Sequence, residues 1–254
     1  MDRALIVGMN MTAGTDPNRK KGSFDLAMDE MVSLVKACDM EPVGRIEQNM
    51  ESPNTATYIG AGKVLEVREM VRALEADIVV FDNGLSPIQL RNLSRELDCP
   101  VMDRTTLILE IFSARARTRE ARLQVEVARL QYMLPRLVGL HDALSRQGGA
   151  SGSMSSRGAG ETKLELDRRV LEKRLSELRR ELKEVGNERE TQRKRRVKSG
   201  LPRVALVGYT NAGKSTLLNA MLDLYGADEG DAQEEKRVFE KDMLFATLDT
   251  TVRK

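Results

Sequence analysis

Cysteine and histidine are almost missing from this chain. Among its 254 residues there are only Cys38, Cys99 and His141 of these two types. Two cysteines far apart in sequence, without metal-ligand spacing, argue against a disulfide scaffold and a zinc site. They read as small buried hydrophobes. One histidine leaves no Ser/His or Cys/His pair to support nucleophilic catalysis. No apolar run approaches the roughly 20 residues of a membrane span. Met1 leads almost at once into "RALIVGM", which alternates like a strand and lacks the long apolar core of a signal peptide. A cytoplasmic location is expected.

Charge of neither sign dominates the total, which is +2. Its distribution is uneven, however, with −6 over Met1 to Ala114, +10 over Arg115 to Pro202 and −2 over Arg203 to Lys254. A basic middle between two mildly acidic ends suggests that only the middle meets a polyanion.

The first segment, 1–114, alternates short β-like runs with amphipathic helical ones: "ALIVGM", "FDLAMDEMVSLVKACDM", "PVGRIEQ", "GKVLEVREMVRALE", "ADIVVFD", "SPIQLRNLSREL" and "CPVMD". That order predicts an α/β domain with a parallel sheet covered on both faces. Within it, "YIGAGK" from Tyr58 to Lys63 resembles a glycine-rich phosphate turn. It lacks a third glycine at fingerprint spacing, and Gly60 and Gly62 serve a tight strand-to-helix turn equally well.

The middle segment, 115–200, holds two heptad stripes. One is Leu123, Val127, Leu130, Leu134 and Leu137; the other is Leu171, Leu175, Leu178, Leu182 and Val185. Between them lies "SRQGGASGSMSSRGAGET", too rich in glycine and serine to be expected as helix. Folding back there pairs Leu123 with Val185, Leu130 with Leu178 and Leu137 with Leu171, so an antiparallel helical hairpin with a flexible tip over 146–163 is expected. At about 1.5 Å per residue, its arms carry the tip on the order of 40 Å from the body. Pro135 is expected to kink the first arm. A solvated coiled-coil surface accounts for "EKRLSELRRELKE", with glutamates and arginines pairing along each helix. It accounts less well for "RKRRVK" from Arg193 to Lys198, or for Arg146, Arg157 and Lys163 in and beside the glycines. Cations on a mobile backbone suit contact with RNA phosphates and bases.

The last segment, 201–254, opens with "PRVALVG", "YTNAGKS" and "TLLNAMLDLY", which read as strand, turn and helix. That context, with the pattern G-x-x-x-x-G-K-[S/T] from Gly208 to Ser215, predicts a P-loop. Gly208 and Gly213 let the backbone through Tyr209, Thr210, Asn211 and Ala212 turn its amides inward on phosphates. Lys214 neutralises the β and γ oxygens, and Ser215 ligates Mg2+. The helix N-terminus at Ser215 and Thr216 favours anions.

P-loops serve ATPases and GTPases alike, and further motifs decide between them. "GYTNAGKSTLLNAML" and "LFATLDTT" resemble the Obg-HflX branch of translation-associated GTPases. With "ATYIGAGKV", "FDNGLSPIQLRNL", "ARLQVEVARLQYMLPRL" and "RGAGETKLELDRR", the chain resembles HflX-type GTPases over nearly its whole length. The resemblance implies an N-terminal α/β domain, a helical hairpin and a GTPase domain that binds GTP and Mg2+. It also implies a monomer that binds the large ribosomal subunit and its rRNA and splits stalled or idle ribosomes. Phe245, Ala246, Thr247, Leu248 and Asp249 would form switch I, with Thr247 sensing Mg2+ and the γ-phosphate. The loop from Arg146 to Lys163 would lie near the RNA of the peptidyl-transferase region. Ala159 and Thr250 stand where the family often has proline, which bears on loop stiffness. Neither the D-x-x-G that supports Mg2+ and switch II nor the guanine-reading N-K-x-D is expected after Ser215. The chain is therefore expected to be a fragment that holds the beginning of a GTPase domain; the alternative is a natural ribosome-binding module without turnover.

Overall fold

In a computed structural model the chain is described over residues 1–11, 23–147, 154–198, 204–208 and 212–225, with the side chains of 23, 137–147, 154–165, 195–197 and 225 outside that description. The N-terminal part alternates strand and helix: β1 (Arg3–Met11), α1 (Ser23–Ala37), β2 (Glu41–Met50), α2 (Ala61–Ala73), β3 (Ile78–Phe81), α3 (Pro87–Leu97), β4 (Val101–Asp103) and α4 (Arg104–Arg115). The strands form one parallel sheet in the order β2-β1-β3-β4, so the expected α/β class holds.

Period-two alternation distributes the sheet's side chains between two cores. Leu5, Val7 and Met9 of β1, with Val79 and Phe81 of β3, face Val64, Val67 and Val71 of α2 and Leu93 and Leu97 of α3. Ala4, Ile6 and Val80 face the other way, onto Met28, Met31 and Leu34 of α1 and Leu107 and Ile111 of α4. Helices on both faces explain why β1 is apolar along most of its length. Helix α4 has no counterpart among the expected elements. Its start is fixed by Asp103, whose carboxylate accepts from the Thr106 amide at 2.9 Å, a cap that overrides the strand-like look of "TTLILEIF".

The chain leaves β1 toward β2 on one side and β3 toward β4 on the other, so a switch point lies between β1 and β3. In open parallel sheets the crevice at such a point, at the carboxyl ends of the strands, is where ligands gather. Asp82 follows β3 and Asp103 ends β4 at that rim.

Two long helices follow, α5 (Arg119–Gln147) and α6 (Met154–Lys198). Leu123 and Val127 of α5 pack with Leu175, Leu178 and Val185 of α6, flanked by Leu130, Leu134 and Leu182. Arg174 reaches Glu126 at 3.0 Å, Arg119 reaches Glu181 at 3.6 Å, and Arg189 pairs with Glu120. The two stripes meet in one antiparallel seam, as expected, while the side chain of Leu137, expected opposite Leu171, lies outside the described residues. The tip is shorter than expected. Arg146 and Gln147 still belong to α5, and α6 already begins at Met154, so Arg157, Gly158, Gly160 and Lys163 are helical in backbone. Each glycine disfavours helix by only about 1 kcal/mol, which a 45-residue helix absorbs. Helix α5 also continues as one element across Pro135. The last described element is α7 (Lys214–Tyr225).

Candidate functional site

Glycine, lysine and serine meet at the start of α7. Gly213 has φ +72, in the left-handed region that a glycine enters without steric cost. This bend turns the chain into α7, where the Leu217 amide donates to the Gly213 carbonyl at 2.9 Å. Lys214 is the first helical residue, and its Nζ donates to the Gly208 carbonyl at 2.7 Å. Its ammonium thus reaches back to Gly208. Ser215 and Thr216 follow in the first turn of α7, where the helix dipole favours an anion. A glycine in the left-handed region, a lysine reaching back to Gly208 and a hydroxyl on a helix N-terminus are a donor set that fits nucleotide phosphates.

Val204 to Gly208, expected as the strand before the loop, has no regular secondary structure. Val204 and Val207 are 87% and 90% exposed, and Leu206 and Leu217 are also open to solvent. A β-branched run forms a strand only where a neighbour accepts its hydrogen bonds, and none of the strand pairings among the described residues involves this segment. Tyr209, Thr210 and Asn211 lie outside the described residues, as do Phe245, Ala246, Thr247, Leu248 and Asp249. For Arg146, Arg157 and Lys163 the backbone alone is described, on α5 and α6. The letters D-x-x-G do recur once after Ser215, from Asp223 to Gly226. Asp223 sits in the last turn of α7, ahead of Thr247 rather than beyond it.

A second polar centre joins the sheet to the hairpin. Asp103 is fully buried. Its Oδ2 accepts from Arg136 Nη2 at 2.7 Å, from the Leu85 amide at 3.2 Å and from the Tyr132 hydroxyl, while Oδ1 accepts from the amide and hydroxyl of Thr106. The Arg136 guanidinium also lies 3.4 Å from the centre of the Tyr132 ring. Burial lowers the Arg136 pKa, and the Asp103 carboxylate works against that shift. Tyr132 and Arg136 are four residues apart and so share one face of α5. Leu85 lies in "FDNGLSPIQLRNL" and Tyr132 and Arg136 in "ARLQVEVARLQYMLPRL", but nothing in those stretches pairs them with Asp103.

Beside it, Arg104 bridges Asp82 at 2.6 Å and Glu30 at 2.7 Å. Burial raises the Asp82 pKa even though Arg104 opposes the shift. Burial also disfavours the charge on Arg104, but its two carboxylates prevail and hold its pKa above the usual value. The glycine turn is a strand-to-helix connection: Gly60 caps α2 and donates its amide to Gln48 Oε1 at 3.0 Å. Cys99 is buried as expected and Cys38 only half-buried, and both thiols are raised in pKa, chiefly by burial. Among the described residues no group of acidic, histidine or cysteine side chains could hold a metal ion, and no helix is long and apolar enough to cross a membrane.

A parallel α/β unit, a helical hairpin and a Gly-Lys-Ser turn on a helix N-terminus define a P-loop nucleotide-binding protein. Comparison narrows this. Residues 25–113 match the family described as GTP-binding GTPase N-terminal, 115–196 the GTP-binding GTPase Middle Region, and 203–254 the 50S ribosome-binding GTPase family. GTPase HflX of Alkalihalophilus pseudofirmus is 46% identical over 240 residues, 94% of this chain and 53% of that protein. GTPase HflX of Escherichia coli is 44% identical over 227 residues, 89% of this chain and 50% of that protein. The chain belongs to the HflX family of GTPases, and spans about half the length of the curated relatives it matches. A GTP-binding protein from Sulfolobus solfataricus, solved in complex with GDP, shares the fold at 23% identity. It aligns with a TM-score of 0.50 over 88% of this chain and 54% of its own.

Proposed function

We propose that this chain is part of a GTP hydrolase that binds the large ribosomal subunit and dissociates stalled or idle ribosomes. The observation that carries the nucleotide reading is the junction of Gly213 and Lys214, which bends the chain into α7 and brings the lysine back to Gly208. In this reading the amides from Gly208 to Thr216 hold the β- and γ-phosphates, and Lys214 balances their charge. Ser215 and Thr247 would hold Mg2+, and Phe245 to Asp249 would serve as switch I beside the γ-phosphate. Bound GTP and Mg2+ would supply the phosphoryl group and the Lewis acid. Residues 1–114, 115–200 and 201–254 act as α/β domain, hairpin and opening part of the GTPase domain.

The hairpin is the part of the chain suited to ribosomal RNA. Residues 115–202 carry +10 while the flanking segments are acidic. Arg146, Arg157 and Lys163 sit around the turn between the arms and would meet rRNA phosphates, in a cytoplasmic, monomeric protein. Binding through such contacts weakens as salt rises, because cations on the protein release counterions from RNA. The test is sedimentation of large ribosomal subunits with the parent chain and with Arg146→Ala/Arg157→Ala, across a salt series. The double variant is expected to co-sediment less and with a shallower salt dependence while keeping its helical content. Unchanged co-sedimentation at every salt concentration would transfer the role to the run from Arg193 to Lys198.

A further inference from the structure

The Asp103 centre is continuous with a second, distant piece of the rim. Arg136 Nη2 donates not only to Asp103 but also to the Leu85 carbonyl, at 2.7 Å, while the Leu85 amide donates to Asp103. Both polar backbone groups of Leu85 are therefore held by the same ion pair. Leu85 leads directly into Ser86, the N-cap of α3, which exchanges reciprocal bonds with Gln89 at 2.9 and 3.2 Å. Gln89 is buried, and its amide nitrogen donates to the Asn54 carbonyl at 2.8 Å. Three residues along α3, Asn92 donates to the Ala56 carbonyl at 3.0 Å.

Asn54 organises the turn that these two bonds reach. Its side chain accepts from the amides of Ala56 and Thr57. Its backbone exchanges two 2.9 Å hydrogen bonds with Tyr58. Tyr58 has φ +66, a left-handed conformation that a bulky aromatic residue keeps only where its surroundings dictate it. Those surroundings are Phe81, whose ring meets that of Tyr58 edge to face, and the Asn54 bridge that α3 supports.

We propose that the seating of α5 on Asp103 sets the conformation of the Asn54 to Gly60 turn, so that the hairpin arm and the sheet rim are conformationally coupled. The path runs from Arg136 and Tyr132 through Leu85, the α3 cap and Gln89 to Asn54. When the arm lifts, the Leu85 carbonyl loses its donor, the start of α3 loosens, and the left-handed Tyr58 loses its support. The coupling stands on geometry within the described residues and does not depend on the ribosomal reading.

Amide hydrogen exchange on the whole chain tests it. Tyr132→Phe removes one of the two α5 donors to Asp103 and so weakens the seating of the arm that carries Arg136. Arg136→Lys keeps the charge, but its ammonium sits one bond nearer the backbone than Nη2, the single atom that serves both Asp103 and Leu85. In both, exchange at Thr57 and Tyr58 is expected to rise on the order of tenfold, the loss of about one hydrogen bond, while Ile6 and Val80 keep parental rates. Gln89→Leu, which cuts the path midway, should accelerate the same turn amides and leave α5 unchanged. The proposal is overturned if the α5 variants accelerate exchange only in α5 and α4 with the turn at parental rates. If Arg136→Lys unfolds the sheet, Tyr132→Phe alone decides by the same two outcomes.

Discussion

Leu171 and Leu178 occupy equivalent places in the α6 stripe, but the packing separates them. Leu178 is fully buried between Leu123, Val127 and Leu175, whereas Leu171 is only half-buried. Leu178→Ala removes a side chain that has lost all its water contact and leaves a cavity that two long helices close only in part. Fully buried leucines cost about 2–5 kcal/mol on truncation, and about 3 is expected here. Leu171→Ala gives up roughly half the transfer energy and opens little cavity, so about 1 kcal/mol is expected. Multidomain chains often unfold in more than one step, which makes local amide exchange in α6 a better readout than global unfolding. At 1.4 kcal/mol per decade, exchange around Leu178 should accelerate roughly a hundredfold in Leu178→Ala and roughly fivefold in Leu171→Ala. Equal acceleration in the two variants would refute the argument, since it would mean a hairpin stabilised evenly along its length. Parental rates in Leu178→Ala would mean that α5 and α6 do not pack in this register.

Other outcomes follow from the same geometry. The chain is expected to bind GTP weakly and without preference over ATP, because phosphate-binding residues are present and the N-K-x-D is not; parallel titrations check this, and tight guanine-selective binding would contradict it. In a chain of the relatives' full length, Lys214→Ala should abolish nucleotide binding in the same titration while circular dichroism shows the hairpin helices intact. The Tyr58 phenol, pushed up to about 12 by burial and then by Asp82, should ionise well above the usual tyrosine value near 10. Folding favours its neutral form, so its linkage leaves stability unchanged below about pH 10 and removes it as pH climbs to about 12. Spectrophotometric titration of the parent against Tyr58→Phe isolates that step.

The sheet and the hairpin were legible because each rests on a repeat. Alternation along β1 and β3 assigns every other residue to one core, and the 3-4 spacing of leucines assigns a helix face, so both survive without knowledge of the partner. The Asp103 centre was not legible, because Leu85, Asp103, Tyr132 and Arg136 belong to three separate stretches with no shared period. Helix α4 was missed for a related reason: "TTLILEIF" has strand-forming residues, and only the cap at Asp103 and the partners Met31 and Leu34 make it helical. At the hairpin tip, glycine and serine content overstated the loop, since propensity is a weak prior against a helix already propagating from Leu164 onward.

The segment before the P-loop shows the opposite failure, a strong local signal with no structure to match. "RVALVG" has the β-branched composition of a buried parallel strand, yet Val204 and Val207 stand almost wholly in solvent. Composition of that kind describes a fit to a pleated, half-covered surface rather than an intrinsic backbone state. The glycine turn and α7, by contrast, need only local bonds, and both are present. The bend at Gly213 and the start of α7 therefore form without a paired strand before them. Amides from Val204 to Gly208 should accordingly exchange at nearly unprotected rates in this chain. In a chain of the relatives' full length they should slow by several orders of magnitude, as backbone pairing and burial on both faces would require. Strong protection of Val204 and Leu206 in the present chain would show that the strand finds a partner by itself.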